Sequence, residues 1–277
     1  MSPYTLPEGF KHLFQDRLYL ESMTNNSYYT IVGKEGALGR RMFFGPLCVE
    51  YYTCDTEPVL TQWRGFRFVI WTRVTREDAP KNWIQFPKES TREVCAYLDI
   101  NNTNMYYKTW RDTFKTYYYR FLKQTKYQVE EISCDEFCGL YKQYAKNSLL
   151  ISMNQKQMRK LSSGEKRTTH FYILKNTENN DIVAGIAGVD CFSVEQSFYI
   201  TAFTRKDIAP KESGLWLCHM WMKGSSGKGI SYANFGNIWT PGHPVSWKGF
   251  SDFKMKFNPR LIVLKPECIR FTFSLGG

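Results

Sequence analysis

The sequence has few of the residues that build metal centres. Its four histidines are scattered, at positions 12, 170, 219 and 243, and its eight cysteines show no paired ligand spacing. Cys134 and Cys138 lie one helical turn apart, but no histidine or second cysteine pair stands near them to complete a zinc site. These absences argue against a metal cluster and a histidine dyad, and we expect the cysteines to be reduced core residues of a cytoplasmic protein.

Long apolar runs are also missing. No stretch approaches the length of a membrane span, and the first residues lack the apolar segment of a signal peptide, so no stable membrane insertion is expected. The segment Gly224–Gly229 looks like a phosphate loop, but Gly follows Lys228 where Ser or Thr would stand, and position 222 is Met. We interpret it as a turn between a helix and a strand.

Acidic residues are fewer than basic ones: 26 Asp and Glu against 37 Lys and Arg give a net charge of +11. The cations cluster: residues 106–126 hold six of them against Asp112 alone, and residues 205–260 hold nine against three acids. A clustered excess favours a polyanion such as RNA, although solubility charge is an equally good explanation of the total.

The periodicity of the sequence changes near residue 130. Before it, short β-branched and aromatic runs separated by glycines predict strands, and residues 108–123 have helical spacing with one basic face. After it, Ser133 and Glu136 form a capping box that predicts a helix start. The rest of the chain predicts strands at 170–175, 182–190, 197–204, 230–235, 261–264 and 269–273, and helices at 215–223, ending at Gly224, and 247–256. This order predicts a mixed α/β fold.

Three motifs in this order carry a resemblance to a known family. They are the helix Gly214-Leu-Trp-Leu-Cys-His-Met-Trp-Met, the strand Gly229-Ile-Ser-Tyr-Ala-Asn-Phe-Gly236, and the segment Gly249-Phe-Ser-Asp-Phe-Lys-Met-Lys-Phe257. Together they resemble the Fem-type family of aminoacyl-tRNA-dependent peptidyltransferases, within the GNAT-like acyltransferases. The match covers about residues 133–273 and, more loosely, the helix near 106–125. Asn234 stands where the family usually has Asp, which leaves a carboxylate role at that position in doubt.

The resemblance implies a tandem of two GNAT-like halves. We expect residues 1–105 to form a strand-rich, reduced first half, residues 106–130 a basic linking helix, and residues 131–277 the acyltransferase domain.

CoA-dependent GNAT enzymes carry a glycine-rich loop whose N–H groups hold the CoA pyrophosphate. The equivalent segment here, Arg205–Gly214, has no glycine before its end, and Pro210 removes one donor. We therefore expect no cofactor and an aminoacyl-tRNA donor, with acetyl-CoA as the alternative. The expected substrate-binding residues are Arg205, Lys206, Lys211, Ser213, Trp216, Asn234, Trp239, Lys248 and Lys256; for the cations, surface charge is the competing explanation, and for the tryptophans, core packing.

Lys254, with Phe253 before it, is the expected catalytic position. In the family this Phe-Lys pair is implicated in positioning the activated ester and stabilising charge at the reacting carbonyl, which a fixed cation achieves better than a mobile one. The alternative is that Lys254 and Lys256 form the solvent face of a helix whose phenylalanines pack inward.

The sequence thus supports two hypotheses of function. The first is an enzyme that moves an aminoacyl group from aminoacyl-tRNA to an amine of a nucleotide-linked peptide, such as a peptidoglycan precursor, with a CoA-dependent N-acyltransferase as its variant. The second is a catalytically silent GNAT-like module that binds RNA or another polyanion. The oligomeric state is left open.

Overall fold

The computed structural model describes residues 10–23, 29–34, 36–60, 63–74, 80–85, 94–101, 105–145, 148–163, 168–241, 243–264 and 267–274. Its described residues fall into two compact units. Unit 1 takes its residues from 1–95, 237–248 and 261–277, and unit 2 from 96–236 and 249–260. Both units combine strands with helices, so the predicted mixed α/β class is confirmed.

Unit 1 is built on one mixed sheet. Its elements are α1 (Arg17–Met23), β1 (Tyr29–Lys34), β2 (Ala37–Phe44), β3 (Leu47–Thr53), β4 (Gly65–Thr72), β5 (Ile84–Gln85) and β13 (Cys268–Ser274). The strand order is β1-β2-β3-β4-β13-β5, with β3 and β4 parallel. Alternate residues of β4 face opposite sides of the sheet, so Val69 and Trp71 enter a core with Tyr52, Trp83 and Cys268.

Unit 2 contains the longer helices. Its elements are β6 (Val94–Asp99), α2 (Asp112–Lys123), β7 (Tyr127–Glu131), α3 (Cys134–Tyr144), α4 (Ser148–Ser162), β8 (Thr168–Asn176), β9 (Ile182–Cys191), β10 (Gln196–Thr204), α5 (Ser213–Ser226) and β11 (Tyr232–Ile238). They are followed by α6 (Lys248–Met255) and by β12 (Arg260–Val263), of which only Arg260 belongs to unit 2. Strands β6, β11, β10, β9, β8 and β7 are neighbours in that order. Strands β7 to β10 pair antiparallel, whereas β10 and β11 are parallel.

The predicted start of α3 is confirmed. The Ser133 hydroxyl accepts from the Glu136 N–H (3.2 Å) and the Glu136 carboxylate accepts from the Ser133 N–H (3.0 Å), which completes the capping box. Phe137, one residue later, is fully buried in a core formed by α3, α4 and the sheet. The capping box therefore sets where α3 begins, and its apolar face holds the helix against the core.

Two predicted helix boundaries are wrong. The helix predicted over 108–123 begins at Asp112, because Trp110 and Arg111 are extended and the Arg111 N–H donates to the Lys256 carbonyl (3.1 Å). The helix predicted to end at Gly224 continues to Ser226. A Cβ at position 224 would lie 2.9 Å from the Tyr172 hydroxyl, so this glycine allows close packing rather than ending the helix.

Helices α1 and α4 and strands β5 and β7 have no counterpart in the sequence analysis. The chain also returns to unit 1 near its end: residues 237–248, 261–264 and 267–274, which lie within the domain predicted over 131–277, belong to unit 1. Strand β13 pairs with β4 from Cys268 opposite Trp71 to Ser274 opposite Gly65. Long-range strand pairing of this kind leaves no local signal in the sequence.

Candidate active site

A fork between two parallel strands marks the candidate site in unit 2. Strands β10 and β11 pair only over Gln196–Phe198 and Tyr232–Asn234, near their amino ends. The register of β10 against β9 shifts between Tyr199 and Thr201, where β10 leaves β11. Ligands of α/β proteins bind beyond the carboxyl ends of parallel strands where neighbours separate. The fork therefore has the geometry of a ligand site.

Lys254 is buried beside this fork. Its side chain is 3% exposed, and its Nζ lies 4.3 Å from the centre of the Phe250 ring. The Phe250 ring lies 5.5 Å from that of Tyr199, the residue at which β10 turns away. Burial raises the pKa of the Cys218 thiol, and the nearby Lys254 ammonium opposes that rise. Lys254 thus places a cation between α5, α6 and β10.

Phe253 anchors α6 against two other helices. Its ring contacts Phe114 of α2 (5.7 Å) and Phe257 (5.4 Å). A Cβ at Gly214 would lie 3.1 Å from the Phe253 ring, so the glycine lets the ring rest on the first turn of α5. The neighbouring Ser213 is buried at the same helix start. Phe253 therefore fixes the helix that carries Lys254.

The loop between β10 and α5 uses its own N–H groups. The N–H groups of Ile208 and Ala209 donate to the Arg205 carbonyl (3.1 and 2.8 Å), and that of Ser213 donates to the Pro210 carbonyl (3.0 Å). The side chain of Glu212, next to this helix start, lies 3.9 Å from Arg120. Donors already bonded and a carboxylate at the helix N-terminus make a poor pyrophosphate site.

The predicted cations of this loop have different surroundings. The Arg205 guanidinium lies 3.6 Å from Asp181, 3.8 Å from Asp207 and 5.2 Å from the Tyr144 ring. Lys206 and Lys211 are exposed to solvent. Arg205 is therefore tied to its own unit, whereas the two lysines present their charge outward.

Asn234 links the two strands at the fork. Its Nδ2 donates to Gln196 Oε1 (3.1 Å) across the two strands, and its Oδ1 accepts from the Gly236 N–H (2.8 Å). Asn234 and Gln196 are both buried. A neutral amide can donate and accept at once, whereas an ionised carboxylate can only accept. Asn234 stands where the Fem-type family usually has Asp, and its amide here donates to Gln196 and accepts from Gly236 at the same time.

The remaining predicted residues have other surroundings. Trp216 is 4% exposed and packs on Phe121 with ring centres 4.4 Å apart. Lys256 is exposed, with its Nζ 5.6 Å from the Phe114 ring. Trp239 and Lys248 belong to unit 1, where the Lys248 Nζ lies 5.5 Å from the Trp239 ring. Their roles in substrate binding stay predictions.

A buried polar network behind the fork was not foreseen. The Trp221 indole N–H donates to Ser197 Oγ (2.6 Å), which also accepts from Ser225 Oγ (2.9 Å). Ser225 Oγ lies 3.3 Å from His170 Nε2, and that nitrogen lies 2.7 Å from Asp190 Oδ2. All of these side chains are sealed from solvent, so the network holds Trp221 rather than meeting substrate.

Trp221 links that network to the fork. Its ring contacts Tyr199 of β10 (6.1 Å) and Phe235 of β11 (5.6 Å), one on each side of the opening. The small residues of β9, of which Gly188 lies against the Trp221 ring, are the sequence signal that could have identified it. Among the described residues, no group of three or more His, Cys, Asp or Glu could hold a metal ion.

Comparison with solved structures shows what fold this is. FemX matches over 95% of this chain and 93% of its own, with a TM-score of 0.65 at 9% sequence identity. The C-terminal domain of a protein assigned as a lysylphosphatidylglycerol synthetase from Agrobacterium fabrum matches over 92% and 91%, with a TM-score of 0.57 at 11% identity. L-PGS from Bacillus licheniformis matches over 99% and 95%, with a TM-score of 0.52 at 15% identity.

The chain has the Fem-type, GNAT-like fold. The predicted resemblance is confirmed at this level, and two sheets are present, as a tandem of two GNAT-like halves requires. No protein-family model and no curated protein sequence matches the chain. None of the described helices is long and apolar enough to cross a membrane.

Proposed function

We propose that this chain is an aminoacyltransferase that moves an aminoacyl group from aminoacyl-tRNA to an amine of a peptide, such as a nucleotide-linked peptidoglycan precursor. The observation that carries the proposal is the buried Lys254 at the fork of a FemX-like fold. A buried ammonium group beside a fork with the geometry of a ligand site is placed to act on a bound substrate, because burial strengthens its interaction with charge that develops there.

The chemistry needs a fixed cation at the carbonyl. The acceptor amine attacks the ester carbonyl, the new C–N bond forms, and a tetrahedral intermediate places negative charge on the carbonyl oxygen. The Lys254 ammonium stabilises that oxygen, and it is worth more in a water-excluded site than in solvent. The C–O bond to the terminal ribose then breaks, and the proton lost by the amine passes to the ribose oxygen. The amide product and the free tRNA hydroxyl balance the reaction.

Positioning supplies the rest of the rate enhancement. Phe253 holds α6 on α5, and the network of Asp190, His170, Ser225 and Ser197 holds Trp221 between the two strands. Rigid walls of this kind keep two bound substrates in a reactive orientation. We assign these residues to positioning, since the network is buried and the described residues offer no obvious general base at the fork.

The β10–α5 loop favours tRNA over CoA as the donor. The N–H groups of Ile208, Ala209 and Ser213 are bonded within the loop, and Glu212 brings a negative charge to the helix start where a pyrophosphate would bind. The same region is well supplied with exposed cations suited to an RNA backbone: Arg120 and Lys123 on α2, and Lys211 before α5.

Replacement of Lys254 tests the proposal against its closest rival, a silent RNA-binding module. Lys254→Met removes the charge and keeps the side-chain volume, so the fold should survive. We expect the rate of aminoacyl transfer in a single turnover to fall by about 10²–10³, while the affinity for tRNA changes less than about twofold. The matched control is Lys256→Met, which removes an exposed lysine two residues away and should retain transfer.

Two outcomes would count against this role. Undiminished transfer by Lys254→Met would remove the lysine from the chemistry. A wild-type chain that binds tRNA but transfers nothing to any amine offered, and whose RNA affinity alone falls in Lys254→Met, would identify a binding module instead.

A further inference from the structure

One cysteine differs from the other seven in its access to solvent. All eight cysteines lie in the described part of the chain, and all are free thiols; seven are buried, whereas Cys134 is partly exposed. Cys134 is the first residue of α3. Cys138, one turn further along the same face of the helix, is fully buried in the core of unit 2. The chain therefore has a pair of thiols of which only one can meet a reagent from solution.

The two thiols of this pair form a hydrogen bond with each other. Cys134 packs against the core cluster that contains Cys138, which brings the two sulfur atoms together. Their hydrogen bond lowers the pKa of Cys134 and raises the pKa of Cys138, and the burial of Cys138 acts in the same direction. Cys138 therefore keeps its proton and donates it, and Cys134 is the sulfur that ionises.

The other groups around Cys134 also bear on its ionised form. Its place in the first turn of α3 puts the sulfur at the positive end of the helix dipole. From α4, the Ser162 hydroxyl and the Arg159 charge both lower the pKa of Cys134; partial burial and the Asp135 charge oppose them. The Arg159 Nε lies 3.2 Å from the Asp135 carboxylate, so these two charges offset each other beside the sulfur. The thiol pair and the helix start are thus the features that favour a thiolate.

A partly exposed thiolate with a protonated thiol behind it is suited to attack on a disulfide. The Cys134 sulfur attacks one sulfur of a small disulfide, a new S–S bond forms as the old one breaks, and the other half leaves as a thiolate with the bonding electron pair. Cys138 stays buried and protonated, so it does not displace the bound half. We propose that Cys134 is a site of reversible modification by small disulfides such as oxidised glutathione, and that Cys138 is its positioning residue.

The reaction of the native full chain with dithiodipyridine tests this proposal without donor or acceptor, so its result is independent of the transferase proposal. We expect one thiol per chain to react fast and the other seven about a hundredfold more slowly, because buried thiols react only when the fold opens. The fast phase should be absent in Cys134→Ser and unchanged in Cys191→Ala, which removes a buried cysteine of the same unit. Oxidised glutathione should add one group, at Cys134, that dithiothreitol removes.

The pH dependence of the fast phase separates this role from simple exposure. The rate should rise around a midpoint about one pH unit or more below the roughly 8.5 of an ordinary thiol. Cys138→Ala should raise that midpoint by about one unit, and Cys138→Ser, whose hydroxyl still donates, should raise it less.

Four results would overturn the proposal. They are the absence of a fast thiol in the wild type, a fast thiol retained by Cys134→Ser, a wild-type midpoint near that of an ordinary thiol, and a midpoint that Cys138→Ala leaves unmoved. Closure of a disulfide between Cys134 and Cys138 in place of the glutathione adduct would also contradict it, because Cys138 would then take part in the chemistry.

Discussion

At the residue scale, the difference between Lys254 and Lys256 decides how the site is understood. The two lysines are two positions apart in the same short segment, and the sequence allows both to lie on a solvent-exposed helix face. The structure buries Lys254 to 3% exposure beside Phe250 and leaves Lys256 exposed. Burial changes what the charge can do, because a desolvated ammonium interacts strongly with a developing oxyanion and an exposed one is screened.

His219 makes a prediction about stability against pH. Burial, with help from the Lys223 charge, lowers the pKa of His219 to about 4 from an ordinary value near 6.5. Between these values the unfolded chain binds a proton that the folded chain does not, so the free energy of unfolding falls as pH falls from about 6.5 to 4. We expect His219→Gln to reduce this fall by about 1 kcal/mol per pH unit between pH 6 and 5, measured by urea unfolding.

Tyr106→Phe is the control for that slope. It removes the hydroxyl that lies 2.9 Å from His219 Nδ1 but keeps the imidazole buried. The variant should lose stability at every pH and retain the wild-type slope. An unchanged slope in His219→Gln would show that other groups carry the acid sensitivity; His12 of unit 1, whose burial also lowers its pKa to about 4, would be the first to test.

The sequence could name Lys254 as a candidate, but not what surrounds it. The Phe-Lys motif predicted the residue through a family pattern, whereas its contact with Phe250, the contact of Phe250 with Tyr199 and the nearness of Cys218 arise from the packing of α6, β10 and α5. Asn234 shows the same limit. The sequence shows only that Asn234 replaces the family's usual Asp. The structure shows that Gln196 and Gly236 form hydrogen bonds with its amide.

At the element scale, the sequence predicts a helix boundary well when only neighbouring residues determine it. The capping box of α3 is a contact between residues three apart, so the sequence contains all of it. The start of α2 and the end of α5 depend on distant partners: the Lys256 carbonyl for Arg111, and the Tyr172 hydroxyl for Gly224. For the same reason, a glycine inside a helix or strand of this chain indicates close packing against a neighbour more often than the end of the element.

Two glycine substitutions test that reasoning in opposite directions. A Cβ at Gly188 of β9 would lie 2.4 Å from Nε1 of the fully buried Trp221, so Gly188→Ala should destabilise the protein by about 2–3 kcal/mol. At Gly139 of α3 a Cβ meets nothing within 4 Å, and Gly139→Ala should stabilise by about 0.5–1 kcal/mol through helix propensity. Denaturant unfolding measures both, and equal effects of the two substitutions would contradict the packing described for Trp221.

At the scale of the whole molecule, the fold class was predictable and the chain path was not. Alternating helices and strands, with motifs in a familiar order, predicted an α/β fold of the Fem type. The return of β13 to a position between β4 and β5 joins residues about 200 apart, and nothing local in either segment reports it. The charge excess was visible in the sequence, but its division between paired and outward-facing cations required the structure.

That division predicts how RNA binding responds to salt. Replacing Lys123, Lys206 and Lys211 by glutamine should lower the affinity for tRNA and reduce the slope of log affinity against log salt by roughly two to three. Replacing Lys34 and Lys81, which are exposed in unit 1, should leave the slope close to that of the wild type. Fluorescence titration over a range of salt concentrations measures it, and equal changes in the two variants would mean that charge acts without a defined site.

The most direct test is a transfer reaction read by the mass of the acceptor. The wild-type chain would be supplied with either a charged tRNA pool or acetyl-CoA, and with a nucleotide-linked peptide that carries a free amine. We predict a mass increase equal to one amino-acid residue that requires charged tRNA and is abolished when the tRNA is deacylated beforehand. An acetyl increase with acetyl-CoA, and none with charged tRNA, would contradict both the donor assignment and the interpretation of the β10–α5 loop.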